Sequence, residues 1–131
     1  MKKVFLLGAG FSKEINNEYP ILSELTEIVY ASFEATYKSE AVYHHFSSIP
    51  RECKTDIEKL LSFVSVDWPW KDEVTKYLDL ALYKAIEGQI SAAISSVKKA
   101  RIESQYINLV RHITYEHYDV VTLNYDTLIE E

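Results

Sequence analysis

Apolar and polar positions divide the chain into two short apolar runs near its ends and a long stretch of helical periodicity between them. The first run is Val4–Leu7, and it ends at the glycines of Gly8-Ala9-Gly10. The second is Asp119–Leu123, and Asn124 and Asp126 follow it. A short continuous apolar run that ends at glycine, as Val4–Leu7 does, is typical of a strand that is buried on both faces of a parallel sheet. We therefore expect a strand near each end of the chain.

Between these runs, apolar residues recur at the three- and four-residue spacing of amphipathic helices. The spacing predicts one helix from Ile21 to about Tyr37 and a second helix after a cap at Thr55 or Asp56. Pro69 has no amide hydrogen and is expected to end the second helix. The positions expected to share the inner face of each of four helices are Ile21, Leu25, Ile28, Val29, Ser32 and Phe33; Ile57, Leu60, Leu61 and Val64; Val74, Tyr77, Leu78, Ala81, Leu82, Ala85, Ile86, Ile90, Ala93, Ile94 and Val97; and Ile102, Tyr106, Leu109, Val110 and Ile113.

Several polar or glycine-containing stretches are expected to interrupt these helices. Ser12 can cap a helix after the first strand, but Asn16-Asn17 and Tyr19-Pro20 should interrupt any such early helix. Ser47–Pro50 is typical of a loop. Gly88 lies within the third apolar register, where either a break or a close-packing point would account for it. A last helix is expected to begin in Thr127–Glu131.

The order of elements is strand, several helices, strand and the start of a helix. A crossover between strands of one sheet makes them parallel and is nearly always right-handed. We therefore expect a helix-rich α/β fold with an incomplete Rossmann-like parallel sheet, in which a helical insertion at 13–117 joins the two strands. Because so small a parallel sheet leaves two open edges, we expect 1–131 to be the N-terminal part of a larger domain or to be completed by self-association.

Composition narrows the classes of partner. The formal net charge of -6 argues against a nucleic-acid or anionic-membrane binder, and the basic cluster at 98–101 is typical of a solvated helix face or helix end. Cys53 is the single cysteine, so the chain has no internal disulfide and no cysteine-based zinc module, which fits a cytoplasmic protein. No apolar run approaches the ~18 residues that span a bilayer.

The polar residues at the two strand tips are the candidate chemistry. Gly8, Gly10 and Ser12 follow the first strand, where glycine lets a phosphate approach backbone amides; a tight turn would use the same glycines. Asn124 and Asp126 follow the second strand, where ligands bind in open parallel sheets; a turn and a helix cap are the alternative roles. The third glycine of the dinucleotide fingerprint is absent, since Lys13 takes its place.

Together, the two tips resemble the sirtuin-like NAD-binding domains, especially the bacterial, defence-associated branch. Val4–Ser12 resembles that family's opening strand with its Gly-Ala-Gly-x-Ser turn. Asp56–Leu61 is similar to a helix that recurs in the bacterial branch. Val120–Asp126 contains Thr-Leu-Asn-Tyr-Asp, the bacterial form of the family's second motif. The motifs lie at both ends, so the resemblance extends over essentially the whole chain.

The resemblance implies a role for each matching residue. Residues Gly8, Ala9, Gly10, Phe11 and Ser12 would line the phosphates and adjacent ribose of NAD, and Pro20 would match the proline of the cofactor-binding loop. Asn124 would be catalytic, since it would position the group that attacks the nicotinamide ribose, and Asp126 would hold the nicotinamide carboxamide. NAD would be the substrate, its nicotinamide–ribose bond would be cleaved, and no metal would take part.

The chain also departs from the family's pattern. The family's catalytic histidine follows the second motif, so we expect the 131 residues alone to be inactive. His44 and His45 are interpreted as surface residues, and His112 and His117 as structural ones. The zinc module of the deacylases has no counterpart here, which favours an NAD hydrolase with a role in anti-phage defence. The alternatives are a non-catalytic nucleotide-sensing or oligomerisation module and an NAD-dependent protein deacylase.

Overall fold

A computed structural model describes residues 3–97 and 104–123. In chain order its elements are β1 (Val4–Leu7), α1 (Ala9–Ile15), α2 (Leu22–Tyr37), α3 (Ala41–Ser48), a 3-10 helix (Arg51–Lys54), α4 (Ile57–Ser65), α5 (Glu73–Ser95), α6 (Ser104–Tyr115) and β2 (Asp119–Thr122). The fold is mixed α/β and rich in helix, as the sequence predicts. Within the described ranges, no helix combines the length and the apolar character that a membrane span requires.

The chain divides into two compact units. The first joins Met1–Ile21 to Ile94–Glu131, and the second is Leu22–Ala93. The described part of the first unit contains β1, α1, α6 and β2, whereas the second unit is helical. The insertion expected at 13–117 differs in its boundaries from the second unit, and it stays a prediction.

The sheet of the first unit pairs the two ends of the chain. β1 and β2 are parallel, with Val4 opposite Asp119 and Leu7 opposite Thr122. The Leu123 amide continues the ladder by donating to the Leu7 carbonyl oxygen at 3.0 Å. The prediction that the two terminal apolar runs form parallel neighbouring strands is therefore confirmed.

Burial on both faces of this sheet, however, was a wrong expectation. Leu7 is buried, whereas Val4 is 60% exposed, Leu6 is 66% exposed and Val121 is 46% exposed. Leu6 and Val121 are paired residues, so their side chains share one face. The described part of the chain covers only the opposite face, which explains the alternation.

The second unit has a well-packed apolar core. Phe33 is fully buried in its centre, and its ring lies 5.4 Å from that of Phe46 and 5.1 Å from that of Tyr37, measured between centroids. Each such side chain stabilises the fold by about 1.5–3 kcal/mol when it is buried. The other buried apolar residues of this unit are Leu25, Val29, Val42, Ile49, Ile57, Leu60, Val64, Leu82, Ile86 and Ile90.

The helix boundaries agree with the sequence in α2 and α4 and differ elsewhere. α1 begins directly after Gly8 and ends before Asn16, where the sequence predicts an interruption, whereas α3, which includes Ser47 and Ser48 of the predicted loop, was not expected. α5 continues through Gly88, around which no described atom would lie within 4 Å of an added Cβ, so Gly88 is neither a break nor a close-packing point.

Some side chains expected in the core lie on the surface instead. Val74 and Tyr77 of α5 are 66% and 71% exposed, and Val110 of α6 is 45% exposed. The buried face of α5 is narrower than the apolar pattern, and Asp79 belongs to it. The basic cluster at 98–101, Ile102 and the helix expected at 127–131 lie outside the described residues.

Candidate functional site

The carboxyl edge of the β1–β2 sheet is the site that the sequence predicts. Parallel pairing in register places the end of β1, at Leu7, beside the end of β2, at Thr122. Gly8 therefore leaves the sheet at the same edge as Leu123, the last described residue. Ligands of open parallel sheets bind outside this edge.

The backbone after β1 turns directly into α1. Gly8 has an extended conformation (φ -118°, ψ 175°) at the N-cap position, and its carbonyl oxygen accepts from the Phe11 amide at 2.8 Å. Ala9 is the first helical residue, and Gly10 lies in the first turn of α1. The expectation that Ser12 caps this helix is wrong, since Gly8 holds the cap position without a side-chain bond.

Neither glycine is required by the fold of the described residues. Neither has a positive φ, and no described atom lies within 4 Å of a Cβ built on Gly8 or Gly10. Both residues are exposed. The described residues therefore leave the surface over this turn open, and a larger group could approach its backbone.

Phe11 and Ser12 point away from that open surface. Phe11 packs edge-to-face on Tyr106 of α6, with 6.2 Å between the ring centroids, and Tyr106 Oη donates to the Glu14 carbonyl oxygen at 3.4 Å. Ser12 is only 1% exposed. Phe11 thus helps to hold α1 against α6, whereas Gly8 and Gly10 are exposed.

The remaining predicted residues are not brought to this edge by any described contact. Pro20 is half-buried in the connection between α1 and α2, in the first unit. Asn124 and Asp126 lie outside the described residues. Their roles stay predictions, although β2 leads the chain to the predicted edge.

His45 differs from its interpretation as a surface residue. Its side chain is 13% exposed, and its Nε2 lies 2.8 Å from Oδ1 of Asp79 on α5. The adjacent His44 is exposed. His112 is exposed and packs against the ring of Tyr118 at 5.7 Å, and His117 has a left-handed conformation (φ 52°) in the turn before β2, as suits a structural residue.

Asp79 joins His45 to a second basic group. Lys71 Nζ lies 2.6 Å from Asp79 Oδ2, and the two side chains are 5% and 4% exposed. Lys71 also donates to the carbonyl oxygens of Val66 at 2.8 Å and Phe63 at 3.3 Å. The ammonium group thus has three acceptors, and the arrangement ties α3, α5 and the connection before α5 together.

Sequence reasoning missed this buried polar group, although α5 carries a signal for it. Asp79, Leu82, Ile86 and Ile90 recur at spacings of three and four and form the buried face of the helix. A carboxylate in register with buried apolar residues requires a partner, because an unpaired buried charge is costly. The identity of the partners, Lys71 and His45, is not contained in that spacing.

Within residues 3–97 and 104–123, no group of three or more histidine, cysteine or acidic side chains is arranged to hold a metal ion. The family models, the curated proteins and the solved structures yield no significant match to this chain.

Proposed function

We propose that the chain binds NAD at the carboxyl edge of its parallel sheet, as part of an enzyme that cleaves the nicotinamide–ribose bond. The observation that carries the proposal is the parallel, in-register pairing of the two motif-bearing strands. The two motifs lie more than a hundred residues apart along the chain, yet their strands end at one edge. A shared ligand would give both motifs a reason to be there.

The open turn at Gly8 and Gly10 supports the same proposal. These glycines are not needed for a left-handed backbone or for packing among the described residues. Close approach of a ligand to the backbone is a further physical use of glycine at such a position, beside the N-cap role of Gly8. The NAD phosphates would take that space, while Asn124 and Asp126 would contact the nicotinamide riboside.

We propose that water is the group that attacks the nicotinamide ribose, so that the reaction is hydrolysis. We also propose that the protein is cytoplasmic. In it, dipoles around the ribose stabilise positive charge as the nicotinamide leaves. Release of nicotinamide from NAD separates this proposal from a non-catalytic sensor, which would bind NAD without turnover.

Thermal unfolding with and without NAD tests binding in the 131-residue chain itself. NAD at concentrations well above its Kd raises Tm by mass action, because it binds only the folded state. Gly10→Val is expected to abolish this rise, since its side chain would fill the space left for a phosphate. Asn124→Ala is expected to reduce it.

Gly88→Val is the matched control for Gly10→Val. Both glycines lie in helices, and no described atom lies within 4 Å of a Cβ added at either. Both substitutions therefore change helix propensity in the same direction, by about a few tenths of a kcal/mol in favour of valine. A Tm rise with NAD that survives Gly10→Val would contradict the proposed site, and the absence of any rise in the folded wild-type chain would contradict binding.

A further inference from the structure

A small cleft in the second unit lies beside the buried group formed by His45, Asp79 and Lys71. It is bounded by the end of α3, by α4, by the connection after α4 and by the start of α5, and its volume is about 220 Å³. An apolar cavity of ~150 Å³ holds benzene, whereas drug-sized ligands occupy ~300–1,000 Å³. The cleft therefore has room for one substituted ring. The lining residues that matter here are His45, Ile49, Phe63, Trp70, Lys71 and Asp79.

The apolar part of the lining is aromatic and partly open to solvent. Phe63 is half-buried, and Trp70 is 75% exposed. The Trp70 ring is stacked on that of Trp68, with 4.8 Å between the centroids and 14° between the planes, so a second ring supports it. Aromatic rings pack on one another in offset-stacked or edge-to-face arrangements, and this part of the cleft therefore suits an aromatic ligand.

The charges of the lining balance. Lys71 and Asp79 are the described lining residues that carry a permanent charge, and Lys71 Nζ lies 2.6 Å from Asp79 Oδ2. The two side chains are 5% and 4% exposed, so the pair offers no free charge to a ligand. A neutral imidazole at His45 completes the group without an uncompensated buried charge, which would be costly. The cleft therefore suits a neutral ligand.

Asp79 determines which nitrogen of His45 carries the proton. An ionised carboxylate only accepts hydrogen bonds, so His45 Nε2 donates to Asp79 Oδ1 at 2.8 Å. A neutral imidazole has a single N–H group, which leaves Nδ1 as an acceptor. Among residues 3–97 and 104–123, no group donates to Nδ1, and the His45 side chain is 13% exposed. The cleft therefore offers one acceptor to a ligand that carries a donor.

We propose that this cleft binds a small neutral aromatic compound of one ring that carries a hydroxyl or an amide N–H group. The ring packs against Phe63 and Trp70, and the hydroxyl or amide donates to His45 Nδ1. Asp79 acts as a positioning residue, because it holds the imidazole in the tautomer that accepts. All lining residues belong to the second unit, and this site does not depend on the NAD proposal.

Titration of the isotope-labelled full chain with phenol and with toluene, followed by NMR, tests the proposal. The two compounds are nearly equal in size, and phenol alone has a donor. We expect phenol to bind at one site with a Kd of the order of 1 mM, as suits so few atoms, and to shift the signal of the Trp70 indole N–H.

Two variants separate the hydrogen bond from the aromatic contact. His45→Gln keeps an amide donor for Asp79 at the place of Nε2 and has no acceptor at the place of Nδ1. It should lower the affinity for phenol about tenfold, the value of one hydrogen bond, and change the affinity for toluene little. Trp70→Ala should weaken the binding of both compounds, since it removes part of the aromatic wall.

His44→Gln and Tyr77→Ala are the matched controls, because they make the same changes at exposed residues outside the lining. Both should bind phenol as the wild type does. An unchanged affinity of His45→Gln for phenol, or an equal loss for phenol and toluene, would overturn the proposal. If His45→Gln does not fold, equal affinity of the wild type for phenol and for anisole, whose oxygen has no proton, overturns it instead. So would a folded wild type that does not bind phenol, or equal binding of phenol by Trp70→Ala and Tyr77→Ala.

Discussion

Asp79 is a buried carboxylate that contacts two basic side chains, Lys71 and His45. Asp79→Leu leaves the Lys71 ammonium buried with only backbone carbonyls as acceptors. Breaking a buried pair in this way typically costs about 3–5 kcal/mol of unfolding free energy. We expect Asp79→Leu to have a cost in that range, measured by urea unfolding.

The double variant Lys71→Met/Asp79→Leu provides the control. It removes both charges and fills the site with apolar atoms, so it should be more stable than Asp79→Leu alone. The single variant Lys71→Met is measured as well. If the double variant loses as much unfolding free energy as the two single variants lose together, the two side chains act independently.

Residue-level prediction from the sequence succeeded where a local rule was sufficient. Asp56 was one of two predicted caps, and it does cap α4, because its carboxylate needs only the amide of Lys59 three residues later. His45 was assigned to the surface, because its partner Asp79 lies 34 residues away and only tertiary packing brings the two together.

Asp56 also makes the stability of the α4 helix depend on pH. Its Oδ1 accepts from the Lys59 amide at 2.9 Å, and this hydrogen bond lowers the pKa of Asp56 from 3.8. Asp56→Ala should lower the unfolding free energy by about 1 kcal/mol at neutral pH, since it removes the cap. Because the pKa is lower in the folded state, the stabilisation is complete above the unfolded pKa and is lost as pH falls through the folded pKa.

Urea unfolding of the wild type and Asp56→Ala at a series of pH values measures this difference. Glu34→Ala is the control, since Glu34 forms a half-exposed surface pair with Lys38. A difference between wild type and Asp56→Ala that stays constant into strong acid would contradict the assignment of the cap.

At the level of elements, long amphipathic patterns were predictable and short helices were not. The bounds of α2 agree with its apolar spacing almost to the residue, although Ile28, which was expected in the core, is 49% exposed. α3 has only eight residues, and isolated helices of that length are unstable in water. Phe46 of α3 lies 5.2 Å from the ring of Tyr30 and 5.4 Å from that of Phe33, so α3 depends on packing against α2.

The two units of the whole molecule differ in how much they bury. The side chains that are 0% exposed, which are those of Val29, Phe33, Ile57, Leu60, Leu82 and Ile86, all belong to the second unit. In the first unit, Leu7 and Ile113 are each 8% exposed, and one face of the sheet is open. We expect amides of α2, α4 and α5 to exchange with solvent more slowly than those of β1 and β2, because local opening costs less where less is buried.

Native-state hydrogen exchange followed by NMR measures this order. The amides that exchange most slowly should report the free energy of global unfolding. The amides of β1 should report a lower free energy of opening. If β1 and β2 exchange as slowly as α5, the predicted order of opening is wrong.

The pairing of the chain ends was the part of the global fold that sequence could predict, because glycine and polar residues at both strand tips indicated a shared edge. Burial of the second sheet face could not be predicted in the same way. An apolar run shows that its residues prefer burial, but it does not show whether another element is present to cover Leu6 and Val121.

NMR titration of the isotope-labelled chain with NAD is the most direct test of the nucleotide site. The account predicts chemical-shift changes in the amides of Gly8, Gly10 and Leu123, at the shared edge of β1 and β2, with the helices of Leu22–Ala93 little affected. A folded chain whose spectrum does not change with NAD, or whose changes are confined to the second unit, would contradict it.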